Sequence, residues 1–348
     1  MKKKLKKKNL IIAIIGIVIF IGAIIGVVLL TTNKDKTSDN KPKKQSEPVV
    51  EKKVQIVDES STSRPYAIMI NNLSTARGVQ AGLQDAYIVY ELIVEGGITR
   101  YMALFLDSDT KQIGTVRSAR HYYLDYALEN DAIYVHHGKS PQAQSDFSAL
   151  GVDRMEISDP KTAWRDRSNG LAIEHTLYTS IELLDKNIGS KRKERNKDLL
   201  LKYSAESLNL KDIENSKEAK SVAVKYSSGT TSQYEYDVEN KVYKRSVNGK
   251  AHTDYITKEQ YTFKNIIAYD VKNNNISGDN KGRQDLQNVG SGNGWYISEG
   301  YAVPITWSKS SRSAQTEYKL ESGEKLVVND GNTFIQIYPS GTGSLTVE

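Results

Sequence analysis

Residues 10–30 form an apolar run with no charged position, and six lysines (Lys2, Lys3, Lys4, Lys6, Lys7 and Lys8) crowd the segment before it. As a helix the run would be about 31 Å long, close to the thickness of a bilayer's hydrocarbon core. With the lysines on one side only, the tail 1–9 is expected in the cytoplasm and everything after residue 30 outside. The run is longer than a signal-peptide core and no Ala-x-Ala site follows it, so it reads as an uncleaved signal anchor. Residues 31–63 mix Lys, Asp, Ser, Thr, Glu and Pro with few large apolar groups. Such a stretch buries too little to offset its ordering entropy and is expected to be a disordered stalk.

Strand-like patterning begins at Arg64-Pro65-Tyr66-Ala67-Ile68-Met69-Ile70-Asn71. Runs at 87–95 and 98–107 flank Gly96-Gly97, which reads as a two-residue hairpin turn. That register pairs Glu95 with Ile98, Ile93 with Arg100 and Glu91 with Met102, placing Glu91, Glu95 and Arg100 on one face. Two strand-to-helix junctions follow. Residues 113–116 lead into Arg117-Ser118-Ala119-Arg120, with Ser118 as N-cap of a helix to about residue 129. Residues 132–135 lead into His136-His137-Gly138-Lys139, with Ser140 and Pro141 opening a helix that Gly151 closes. A third helix is expected from Thr179, with Glu182 completing a capping box, to near Gly189. From residue 221 short alternating runs recur at 222–226, 234–238, 242–247, 266–271, 295–297, 302–307, 325–328 and 333–338. The expectation is an α+β protein: after the anchor and stalk, a mixed α/β-type domain over 64–205, then a β-rich domain over 220–348.

Charge refines this picture. The net charge is +6, and six lysines lie in the cytoplasmic tail, so the rest of the chain is near neutral. The basic pI of about 9.0 is therefore a property of the anchor, and nucleic acid is not an expected partner. There is no cysteine, hence no disulfide, no thiolate chemistry and no site for a lipid anchor. In a chain placed outside the membrane, that absence points to a Gram-positive-like exterior.

Four stretches are familiar. Glu95-Gly96-Gly97-Ile98-Thr99-Arg100-Tyr101-Met102-Ala103 and Ile113-Gly114-Thr115-Val116-Arg117-Ser118-Ala119-Arg120 resemble signatures of the YerB-like family. Ile305-Thr306-Trp307-Ser308-Lys309 and Gly331-Asn332-Thr333-Phe334-Ile335-Gln336-Ile337 resemble that family's second domain. The resemblance implies a bacterial envelope protein of two consecutive domains of unknown function, over essentially residues 63–348. It implies no reaction. The chain departs from the family in lacking a lipobox cysteine and in carrying Thr115 where a proline is expected.

The candidate chemistry lies in the first of these halves. Arg100, Arg117, Ser118, Arg120, His136, His137, Lys139 and Ser140 are candidate ligand-binding residues, gathered where strand ends and helix N-termini would meet. Guanidinium groups and free N–H groups suit phosphate or carboxylate, both abundant in cell-wall polymers. The expected function is non-catalytic binding of an anionic wall component or envelope partner through an arginine-rich cleft. The alternative is a wall-polymer hydrolase or transferase with Glu91 or Glu95 as general acid/base. Four positions apart on one strand, these carboxylates would be about 13 Å apart at the backbone, wider than glycosidase pairs at about 5–9.5 Å. No nucleophile elbow, Walker loop or His-Glu-x-x-His occurs, so no cofactor or metal is expected.

Overall fold

The structure, a computed structural model, describes residues 52–348. The cytoplasmic tail, the expected span at 10–30 and residues 31–51 of the stalk lie outside the described residues. No described helix is long and apolar enough to cross a membrane. Strand outweighs helix in the described residues, which hold only three short α-helices: α1 (Tyr123–Glu129), α2 (Pro141–Ala149) and α3 (Ile181–Lys186).

In chain order the principal strands are β1 (Tyr66–Asn71), β2 (Ile88–Ile93), β3 (Thr99–Phe105), β4 (Ile133–His136), β5 (Ser221–Ser227), β6 (Thr230–Asp237) and β7 (Val242–Val247). They continue with β8 (Asn265–Val271), β9 (Gly290–Ser298), β10 (Tyr301–Lys309) and β11 (Thr333–Pro339). A single eleven-stranded sheet runs through both halves of the sequence. Its order is Lys217–Glu218, β10, β9, β8, β11, β2, β3, β1, β4, Arg154–Glu156, with Glu317–Leu320 also paired to β10. The join is a parallel pairing of β2 with β11, from Ile88 opposite Thr333 to Leu92 opposite Ile337. Strands β1, β2 and β3 are buried at every position, which explains their continuous apolar texture: both faces are covered. Strands β5, β6 and β7 alternate buried and more open positions and form a second sheet, extended by Ser344–Val347, with one face toward the core.

The expected α/β character of the first half is confined to β4, which runs parallel to β1 on one side and, across α2, to Arg154–Glu156 on the other. Ser140 caps α2, its hydroxyl accepting from the Ala143 N–H at 3.1 Å, with Pro141 in the first turn. The helix expected from Ser118 begins only at Tyr123. Residues 117–119 are instead held extended, because the Arg117 N–H donates to the Met69 carbonyl and the Ala119 N–H to that of Gly138. Ser118 is therefore not a helix cap. The third helix is capped by Ser180, one residue later than expected, and ends at Lys186; Glu182 pairs with Lys186 in place of a capping box.

The hairpin register is also one residue off the expected one. The turn is three residues long, Glu95–Gly97, with both glycines at positive φ (67° and 72°). Glu91 therefore lies opposite Tyr101, and Arg100 opposite Leu92. A one-residue slip exchanges faces, so Glu91 and Arg100 point to opposite sides of the sheet.

Packed structure begins before residue 63. Val57 is buried, and the N–H groups of Gln55 and Ile56 donate to the Asp330 carboxylate at 2.8 and 2.9 Å. A chain starting at Lys52 is therefore expected to be soluble and to unfold cooperatively. Starting at Arg64 removes one buried side chain and two charge-assisted hydrogen bonds, a loss of about 2–4 kcal/mol. Urea denaturation of the two fragments checks this; equal midpoints would show that residues 52–63 contribute nothing.

Candidate functional site

The sequence candidates separate into two places. Glu91 is fully buried between the two sheets. Its Oε2 accepts from Arg245 Nη2 at 2.9 Å, Ser232 Oγ at 2.8 Å and Gln336 Nε2 at 3.1 Å. Its Oε1 accepts from Thr99 Oγ1 at 2.6 Å and Asn72 Nδ2 at 3.3 Å. Arg245, equally buried, reaches His252 Nδ1 at 2.6 Å and lies over the Phe334 ring at 4.8 Å. His252 is thus a neutral acceptor on that nitrogen; burial, then the Arg245 charge, holds its imidazole well below the usual range. This network ties β2, β3, β6, β7 and β11 together. It is closed to substrate, and Glu91 is not a cleft carboxylate.

The second place lies at the tip of the hairpin. Arg120 grips Glu95 through both oxygens, Nε at 2.5 Å and Nη2 at 2.9 Å. Arg100 Nη2 stands 3.7 Å from Glu95 Oε2, while its Nη1 donates to the Ser118 carbonyl at 2.6 Å. Burial pushes the Glu95 carboxyl up, but Arg120 and Arg100 more than offset this and hold it below the usual carboxylate range. Burial, with Arg120 alongside, pulls Arg100 down to about 10. Two guanidinium groups, Arg100 and Arg120, thus share one carboxylate.

Arg117 is different. Its Nη1 donates to the Glu174 carbonyl at 2.9 Å, and its Nε is buried without a partner. Burial also lowers its pKa, opposed by the nearby Glu174 carboxylate. Among the described residues it has no ion-pair partner.

The 136–140 turn lies beside this segment, since the His137 N–H donates to the Arg117 carbonyl and the Ser140 N–H to that of Ala119. Its side chains are not all turned toward the arginines. His136 is buried and stacked on Phe147, ring centroids 5.1 Å apart; its Nδ1–H donates to the Gly138 carbonyl, and burial pulls its pKa down to about 4. Lys139 pairs with Glu156 at 2.6 Å. Ser140 is occupied as the α2 cap. His137 donates from Nδ1 to the Ile157 carbonyl, leaving Nε2 to accept from Arg165 Nη2 at 3.2 Å. The expected single cleft is thus a half-buried arginine cluster beside a structural turn. The two largest cavities described, about 1060 and 810 Å³, lie elsewhere: one beside Leu200, Lys202 and Thr316, the other beside Asp85, Asp254 and Ile256.

Sequence reading missed Arg165 and the inter-sheet partners of Glu91. Arg165 sits in Trp164-Arg165-Asp166-Arg167, whose alternating basic side chains are the only local signal. Arg245 lies in an alternating strand like several others, and nothing local marks it as a buried charge.

Residues 54–195 match the family described as protein of unknown function (DUF3048), N-terminal domain, and residues 222–335 match its C-terminal domain. The chain is 30% identical over 282 residues to the Bacillus subtilis (strain 168) protein named "Putative lipoprotein YerB", covering 79% of this chain and 81% of that one. It also resembles the crystal structure of the YerB protein from Bacillus subtilis, with a TM-score of 0.69 and 28% identity over 82% of this chain and 94% of the other. With both domains present in order, the chain belongs to the YerB-like family of two consecutive domains of unknown function.

Proposed function

We propose that this chain is a membrane-anchored envelope protein whose folded residues stand outside the membrane and bind an anionic wall component or envelope partner without catalysis. The relative's name supports a membrane-attached, extracytoplasmic setting. In this chain, which has no cysteine, the lysine-flanked run 10–30 replaces a lipid as the anchor. The observation that carries the binding reading is Arg117, a guanidinium with a buried, unpartnered Nε beside two others that share a single carboxylate. An unpaired buried donor costs about 1–3 kcal/mol, which an anion would relieve. The hydrolase alternative loses support in both places. Glu91 is sealed inside the protein, out of reach of a substrate, and Glu95 is clamped in its ionised form and is not poised to donate a proton.

Retention of the full chain on purified cell wall tests this. Arg117→Gln is expected to reduce retention at least tenfold with the melting temperature nearly unchanged. Arg120→Ala, by contrast, should cost about 1–3 kcal/mol of stability, because it strips Glu95 of its bidentate partner. Wall retention by the Arg117 variant equal to that of the unaltered chain would end the proposal.

A further inference from the structure

Arg117 does not stand alone at the turn it touches. Its Nη1 donates to the carbonyl of Glu174, and Arg165 Nη1 donates at 2.6 Å to the carbonyl of the preceding residue, Ile173. Two guanidinium groups from different segments therefore converge on the single turn Ile173–His175. Neither forms an ion pair among the described residues; Arg165 is otherwise held by Thr176 Oγ1 at 3.4 Å and His137 Nε2 at 3.2 Å. The third member is His175, on the turn itself. The Asn71 Oδ1 accepts from the Leu73 N–H, which turns Asn71 Nδ2 toward His175 Nδ1 at 2.8 Å. His175 Nδ1 is then the acceptor, and its proton sits on Nε2, for which no partner is present among the described residues. Burial, then the Arg117 charge, lowers the pKa of this imidazole, in keeping with that neutral donor form.

We propose that Arg117, Arg165 and the Nε2–H of His175 form a site for a phosphate ester, with His137 positioning Arg165. This deepens the anion-binding reading and rests on it. One guanidinium edge satisfies a planar carboxylate, which offers about four lone-pair sites. Here the unpaired N–H groups of two guanidiniums and an imidazole exceed that number and come from the segment at residue 117, the strand Trp164–Arg165 and the turn Ile173–His175. A tetrahedral phosphoryl group, with oxygens facing several directions, uses them more fully. Arginine is also the residue suited to phosphate in a partly dry setting, being always charged and weakly hydrated.

Isothermal titration calorimetry on the full chain in neutral detergent tests the site, with inorganic phosphate, a glycerol phosphate oligomer, a short-chain phosphatidylglycerol and acetate as probes. At least one of the two phosphate esters is expected to bind at least tenfold tighter than acetate. The tighter ester names the source, a polymer or a lipid headgroup. Arg165→Gln should weaken ester binding at least tenfold, and Arg165→Lys, which keeps the charge but loses the fork, should fall between. The lysine variant also keeps the test open if the glutamine variant folds poorly. Acetate binding as tightly as the esters, with Arg117→Gln abolishing both, would overturn the phosphate assignment and leave the anion reading standing. Ester binding that depends on Arg117 but not on Arg165 would overturn the site as drawn. Absence of binding by every probe, with the unaltered chain still retained on cell wall, would overturn the phosphate site and leave the wall-binding reading standing.

Discussion

Arg245→Met is expected to destabilise the protein by about 3–5 kcal/mol, because it leaves the Glu91 carboxylate buried without its counter-charge. Both side chains of the pair are fully covered, so water cannot replace the lost partner. The four remaining donors to Glu91, from Ser232, Gln336, Thr99 and Asn72, are neutral and offset only part of the loss. Glu91→Gln should also be costly, since it strands the guanidinium and turns an amide donor toward groups that themselves donate. The double variant should recover most of either loss, because a buried ion pair contributes little net stability over neutral groups of similar volume. Guanidinium denaturation of the four proteins closes the cycle. Additive single effects would show that the pair is not coupled.

The second large effect is on acid stability. In the folded protein burial pulls His136 down to about 4, whereas an unfolded histidine titrates near 6.5. The charged groups facing it are Arg154, whose Nη1 lies 3.4 Å from Nε2, with Lys139 and Glu156 alongside. As pH falls below about 6.5 the unfolded chain takes up a proton that the folded one refuses. The stability contributed by the neutral imidazole is therefore complete above that pH and is lost as pH falls toward about 4. At pH 5 the loss is about 2 kcal/mol for this residue alone. His252 and His175, also lowered by burial, act in the same direction. Stability measured from pH 7.5 to 5 should fall accordingly, and His136→Gln should flatten part of the slope. A flat profile in the unaltered protein would refute the argument.

The strands of the second half were legible because their alternation is a local signal: one face meets the core and the other solvent, as in β5, β6 and β7. Ser140 was legible for the same reason, a cap being made within three residues of chain. The hairpin register was not, since a Gly-Gly pair serves a two- or three-residue turn equally well. Here Gly97 lies so close to Ser227, 3.1 Å from where its own Cβ would stand, that a distant strand takes part in the turn. Ser118 failed as a cap because β1 and the 138–140 turn compete for the backbone of its segment. The arginines were found as a group from their spacing. Which of them is already spent was invisible, because it depends on Glu95 on one side and on the carbonyls of the Ile173–His175 turn on the other.

The pairing of β2 with β11 has a consequence for how the chain is made. Ile88 must wait for Thr333, so the middle of the large sheet keeps an open apolar edge until nearly the whole chain has emerged. Neither half can close its core in advance of the other, although each carries its own family signature. For a chain synthesised from its N-terminus, the interval before β11 arrives is when unpaired β2 is open to proteases and to strands of other chains. Residues 333–339 thus act as the closing stave of the sheet, and the protein's exposure to misassembly is set by the time they take to arrive.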